Sequence, residues 1–324
     1  MRLLVLVGLA AALPGQANPD RILVVVQQAI APASALFEVD PVTGAVVPLP
    51  SFPSAFLPPL ALALDPATRE PIVALQAANG SLLVRVHVVG HQVLGESVLG
   101  TVPGTVVGMS VPSVGDLFVA VGGANGAILR VDRHCCGVQT FWTAPGISVL
   151  SEPVVVPGKL WAAQDRSPGP PTLHAFLDAT PGAAAISLSL TLLPGARITG
   201  VHEFPGGFSS RVQLVVDTLG RLHRMELWPW TLGQVQLAPA IPAGGARRMK
   251  AGPSPRVYVL GGAADPTLKW FWQTVTSTSG ALTPLTQVAS LPGDPVDFVV
   301  VAPASARVVR FGAPCAAPAG GSAG

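Results

Sequence analysis

ALFEVD (35–40), LLVRVH (82–87), AILRVD (127–132), LHAFLD (173–178), RLHRME (221–226) and LKWFWQ (268–273) are six variants of one hexamer. Their starts lie 47, 45, 46, 48 and 47 residues apart, a spacing that unrelated apolar runs would not keep. The third column reads Phe37, Val84, Leu129, Ala175, His223, Trp270 and the fifth Val39, Val86, Val131, Leu177, Met225, Trp272. The sixth is always polar: Asp40, His87, Asp132, Asp178, Glu226, Gln273. Apolar residues at every second position mark a half-buried strand. A polar residue at its end suits a following turn, where Asp accepts bonds from nearby backbone N–H groups.

A second marker keeps the same period. Pro66, Pro112, Pro157, Pro205, Pro253 and Pro303 each follow an apolar segment and precede another strand pattern. Those strands read PIVAL (71–75), DLFVAV (116–121), KLWAAQ (159–164), RVQLVV (211–216), RVYVLG (256–261) and RVVRFG (307–312). Proline lacks the N–H a ladder needs, so it belongs at the turn. Each period then holds four short strands: one before the proline, one after it, the hexamer, and a last one such as VQTFWTA (138–144). Four strands in about 45 residues is the blade of a β-propeller. The expected fold is all-β: a six-bladed propeller of four-stranded antiparallel blades. Its first blade lacks an inner strand, since RILVVV (21–26) reads as a second strand, and Asp294–Val301 supplies the missing one from the other terminus. Closing the ring this way removes free edges. RVVRFG competes for the slot that RILVVV fills, which keeps a seven-bladed alternative open.

Met1-Arg2, the apolar run Leu3 to Leu13 and Gly15-Gln16-Ala17 form an export signal with small residues before a cleavage site after Ala17. The run is too short to span a bilayer, which takes about 20 residues. The expected organisation is a signal peptide over 1–17, the propeller over 18–312 and an Ala/Gly/Pro-rich tail or linker over 313–324. The mature chain is expected to be a monomer, secreted, periplasmic or at the cell surface. Charged residues make up 11% and hydrophobic ones 49%, the balance of a chain that can bury a core. A net charge of +2 without a basic run argues against nucleic acid as a partner. Cys135, Cys136 and Cys315 give an odd set with no disulfide framework and no ligand spacing for a metal.

ALFEVDPVTG followed by AVVPL (35–49) resembles the third-to-fourth-strand hairpin of exported bacterial propellers of the NHL and SMP-30-like kind. That resemblance implies the propeller architecture, and for the SMP-30-like branch a lactonase whose channel metal is held by Glu, Asn and Asp. Hard cations want several oxygens at once. In the register set by the marker prolines only His202 and Glu203 fit, and as strand neighbours they point to opposite faces. The pattern G-x-S-x-G occurs only as GGSAG (320–324) in the Ala/Gly/Pro-rich tail, without the strand-to-helix turn of a nucleophile elbow, and the remaining acids are scattered one per loop. Asn79-Gly80 and Asn125-Gly126 read as hairpin turns; His87, His174 and His223 read as structural. No catalytic residue, metal ligand or cofactor is expected.

Loops joining fourth to first strands and second to third strands open on one face of a propeller. They place Asp165, Arg166, Arg197, Arg247, Arg248 and Asp294 at one rim. Arginine forks pair with carboxylates, so an anionic ligand is the expectation there. The expected function is a non-catalytic exported module that binds a protein, glycan or surface polymer. The alternatives are a metal-dependent lactonase or hydrolase using the channel, and a structural part of a larger surface protein.

Overall fold

A computed structural model of the chain describes residues 20–301 apart from 113–114, 123–125, 134–136, 145–147, 157–158, 167–169, 177–180, 183, 194–195, 205–210, 218–221, 228–231, 238–245, 252–255, 262–269, 276–285 and 292. The expected signal segment, the three cysteines, RVVRFG and the expected tail fall outside the described residues.

Twenty-five strands follow one another with a single short 3₁₀ turn (Pro53–Phe56) among the described residues. Sheet A takes β1 (Arg21–Gln27), β2 (Ser34–Val39) and β3 (Val46–Pro48), and sheet B β4 (Pro59–Leu64), β5 (Pro71–Ala77), β6 (Gly80–Val89) and β7 (Gln92–Val102). Sheet C takes β8 (Thr105–Ser110), β9 (Leu117–Gly122), β10 (Ala127–Val131) and β11 (Val138–Thr143). Sheet D takes β12 (Ser148–Leu150), β13 (Val154–Val156), β14 (Lys159–Arg166), β15 (Thr172–Phe176) and β16 (Ala185–Ser189). Sheet E takes β17 (Ile198–Phe204), β18 (Arg211–Asp217), β19 (Leu222–Leu227) and β20 (Leu232–Leu237). Sheet F takes β21 (Ala246–Ala251), β22 (Arg256–Gly261), β23 (Trp270–Val275) and β24 (Thr286–Ser290). The last strand, β25 (Asp294–Val301), returns to sheet A and pairs antiparallel with β1, placing Val300 opposite Ile22 and Phe298 opposite Val24. The described residues of every hexamer fall on or at the end of the third strand of its sheet, and the strand from each terminus meets the other as the sequence implies.

Continuous apolar strands are explained by burial on both faces. On β1, Ile22, Val24 and Val26 pack with Tyr258 and Leu260 of sheet F, while Leu23 and Val25 pack with Leu62, Val73 and Val84 of sheet B. The same sandwiching joins B to C, C to D and D to E. Between C and D the rings of Phe118, Phe141 and Phe176 meet edge to face, with centroids 5.4 and 5.1 Å apart. Strand β17 runs beside β21, so sheet E meets sheet F.

The turn after the first hexamer forms as its sequence implies: Asp40 Oδ1 accepts the N–H of Val42 at 2.8 Å and of Thr43 at 3.2 Å. The β5–β6 hairpin does not. Its two-residue loop is Ala78-Asn79, and Gly80 is already in the ladder opposite Ala77. Gly80 has φ +138°, and a Cβ there would stand 2.3 Å from the Val102 carbonyl oxygen. The glycine is needed for a close backbone approach, not as the second turn residue.

Candidate functional site

The inner strands β25, β4, β8, β12–β13, β17 and β21 line the axis around which the sheets pack. Five of them carry a one-residue slip in register at the same place: between Pro59 and Ala61, Val106 and Gly108, Ile198 and Gly200, Ala246 and Arg248, and Pro295 and Asp297. A bulge of this kind re-aims the side chains beyond it. In sheet D the inner strand breaks outright at Ser151-Glu152-Pro153, and Pro153 has no N–H to continue a ladder. Ser151 seals the gap: its N–H donates to Ala163 O at 2.8 Å, and its Oγ accepts the Ala163 N–H at 2.9 Å.

Glu152, Arg248, Lys250 and Asp297 converge beyond these irregularities. Lys250 Nζ stands 2.9 Å from Glu152 Oε1 and 3.1 Å from Asp297 Oδ1, and donates to the Leu62 carbonyl at 2.9 Å. Asp297, fully buried, accepts the N–H of Leu62 and of Phe298, each at 2.8 Å. Arg248 donates to Val107 O at 2.8 Å, and its Nε lies 3.8 Å from Asp297. One cluster thus ties β21, β25, β4, β8 and the β12–β13 break together. Burial pushes the Glu152 carboxyl up to about 7; Asp297 adds to the rise, and Lys250 and Arg248 oppose it without winning. Burial alone would lower the Lys250 ammonium, but Asp297 and Glu152 outweigh it and hold it above its ordinary value.

Three oxygens, from β4, β25 and the β12–β13 break, surround one cation, and that cation is the chain's own ammonium. Among the described residues, no group of three or more His, Cys, Asp or Glu is placed to hold a metal ion.

The residues singled out for the rim divide. Arg197 is exposed just before β17, and Arg247 and Asp294 stand at the starts of β21 and β25, so all three lie at one end of the axis. Arg247 pairs with Asp294 and donates to Pro295 O at 3.1 Å. Arg248 instead reaches along the axis to Val107. The backbone of Asp165 and Arg166 reaches the same end, opposite Val149 and Ser148, but their side chains lie outside the described residues. His202 and Glu203 face Leu214 and Gln213 across the β17–β18 ladder, and their side chains are likewise not described.

Glu152 and Asp297 escaped the sequence reading. The register there was counted from Pro157 and Pro303, whereas the break at Pro153 and the bulge before Asp297 reset it. Acids inside otherwise apolar inner-strand patterns were the available signal.

No family model matches the chain, and no curated protein matches it in sequence. Solved structures do match in shape. A putative 6-phosphogluconolactonase from Bacteroides fragilis superposes with TM-score 0.59 at 11% identity, over 89% of this chain and 99% of that one. The nidogen/laminin complex gives a match with TM-score 0.61 at 9% identity, over 88% and 98%. TolB from Acinetobacter baumannii gives TM-score 0.58 at 14% identity, over 87% of this chain and 66% of that one. These are β-propeller proteins. At such identities the likeness concerns the fold alone: the chain is all-β and propeller-like, built of four-stranded antiparallel sheets with its N- and C-terminal strands paired.

Proposed function

We propose that the chain is an exported six-bladed β-propeller serving as a binding module, with its ligand taken at the axial mouth formed by Arg197, Arg247, Asp294 and the ends of β12 and β14. The observation that carries this reading is Lys250 Nζ held within 3.1 Å of Glu152, Asp297 and Leu62 O. The buried charges of the axis answer one another and hold the inner strands in register. Recognition therefore falls to the mouth above them. Lactonases among the structural neighbours raise the channel-hydrolase reading, but the axial carboxylates of Glu152 and Asp297 are here engaged by the Lys250 ammonium.

The mouth carries Arg197 and Arg247, and the ligand class that suits it is an acidic glycan or an acidic protein surface. Attraction between exposed charges fades as salt shortens the screening length, about 8 Å at physiological strength. The purified chain should bind acidic polysaccharides over neutral ones, less so as salt rises, and less again with Arg197→Ala plus Arg247→Ala. Equal or absent binding to both sets, unchanged by the substitutions, would retire the reading. Export is checked separately: the secreted product should begin at Asn18 by mass spectrometry.

A further inference from the structure

At the end of sheet B away from the mouth, the β4–β5 turn, β6 and β7 bring three side chains together. His87 lies opposite Gly95 in the β6–β7 ladder and Arg85 opposite Ser97, which makes His87 and Ser97 diagonal neighbours. His87 Nε2 is 2.7 Å from Ser97 Oγ, and His87 Nδ1 is 2.8 Å from Glu70 Oε1. We propose that Ser97, His87 and Glu70 form a nucleophile, base and carboxylate relay that hydrolyses carboxylic esters.

The order of the contacts carries the argument. A carboxylate at Nδ1 holds the imidazole proton on that nitrogen and leaves the Nε2 lone pair facing the serine hydroxyl. His174, which is buried, is arranged differently. His174 Nδ1 meets Ser187 Oγ at 2.9 Å, and its Nε2 meets the neutral amide oxygen of Gln164 at 2.7 Å. The His87 arrangement instead sets a carboxylate at Nδ1, where it can stabilise an imidazolium.

The surroundings suit the chemistry. Glu70 and Asp65 are buried acids, and Arg85 donates to Asp65 at 2.9 Å with its Nε 3.9 Å from Glu70. Arg133, reaching over from sheet C, holds Asp65 from the other side at 3.1 Å. These pairs fix the acidic end of the relay, while the His87 side chain keeps 25% of its surface exposed. No atom lies within 4 Å of the place a Cβ on Gly95 would occupy, leaving room beside His87 for an acyl group. Ser97 Oγ attacks the ester carbonyl carbon as its proton passes to His87 Nε2, and the anionic oxygen develops on the face that carries Arg85. Collapse breaks the bond to the leaving alkoxide, which takes the proton from His87. Water, deprotonated by the same nitrogen, then releases the acid and restores the serine.

The test uses the full chain with an alkyl fluorophosphonate and p-nitrophenyl acetate. Labelling should map to Ser97 and disappear in Ser97→Ala. Ester turnover should fall about 100-fold or more in His87→Gln, the range of a lost general base. Glu70, a positioning residue, should show itself in a split of the constants: Glu70→Gln should lower kcat and leave KM unchanged, because the carboxylate orients His87 and does not touch the ester. Ser187→Ala should change nothing. Ser97→Cys, which keeps the side chain's size, should react with iodoacetamide faster than the same thiol in the His87→Gln background. Absence of label at Ser97 above a denatured control, or turnover indifferent to Ser97→Ala in a chain that melts normally, would overturn the proposal. Polysaccharide binding measured on the same variants should stay unchanged, so the two sites succeed or fail separately.

Discussion

Gly108 has no side chain because Glu152 leaves no space for one: a Cβ there would stand 2.5 Å from Glu152 Cα and 2.6 Å from its Cβ. Gly108→Ala should push β8 off the strand break and cost about 1–3 kcal/mol, the range of an overpacked core, in a denaturant titration. Glu152 itself gives a pH signature. Its carboxyl is raised in the folded chain to about 7 from an ordinary 4.5, so the native state holds that proton more tightly than the unfolded one. Stability should therefore be greatest below about 4.5 and fall as pH rises towards 7, by about 1–3 kcal/mol. Lys250, raised above its ordinary 10.5, keeps its contribution across that window and loses it only in strong alkali. Glu152→Gln should flatten the slope between those pH values, and an unchanged slope would assign it to other carboxyls. At this scale the sequence was partly legible. Asp40 caps its turn as its position suggests, because the interaction is local. Glu152 and Asp297 acquire meaning only when strands 145 residues apart meet, and no local pattern carries that.

Among the elements, the hexamers and RILVVV were readable because an alternating or continuous apolar run has one economical placement in a stack of sheets. The pairing of β25 with β1 was readable for a related reason: an apolar inner strand at one terminus and a missing one at the other satisfy each other. The bulges were not readable. Each shifts the inward-facing set by one residue without leaving a Gly or Pro at a fixed offset, as Leu60, Val107, Thr199, Arg247 and Val296 show. Strand β25 holds two tasks, since it completes sheet A and delivers Asp297 to the Lys250 cluster. Removing residues 294–324 should lower Tm by roughly 10 °C or more and broaden the transition, because an edge opens and a buried ammonium loses a carboxylate. A truncated chain with unchanged Tm and a sharp transition would show that the strand is an appendage.

For the molecule as a whole, burial on both faces of each sheet explains a chain with 49% hydrophobic and 11% charged residues. So few charges make their placement informative. Four of them, Glu152, Arg248, Lys250 and Asp297, meet on the axis and tie the inner strands of neighbouring sheets to one another. The central claim is that the axis of a six-bladed ring is closed by its own cation. A crystal structure grown with millimolar calcium tests this directly. The account predicts six blades, with Lys250 Nζ bonded to Glu152, Asp297 and the Leu62 carbonyl and calcium absent from the axis. A seventh blade, or calcium bound by Glu152 and Asp297 with Lys250 displaced, would contradict it.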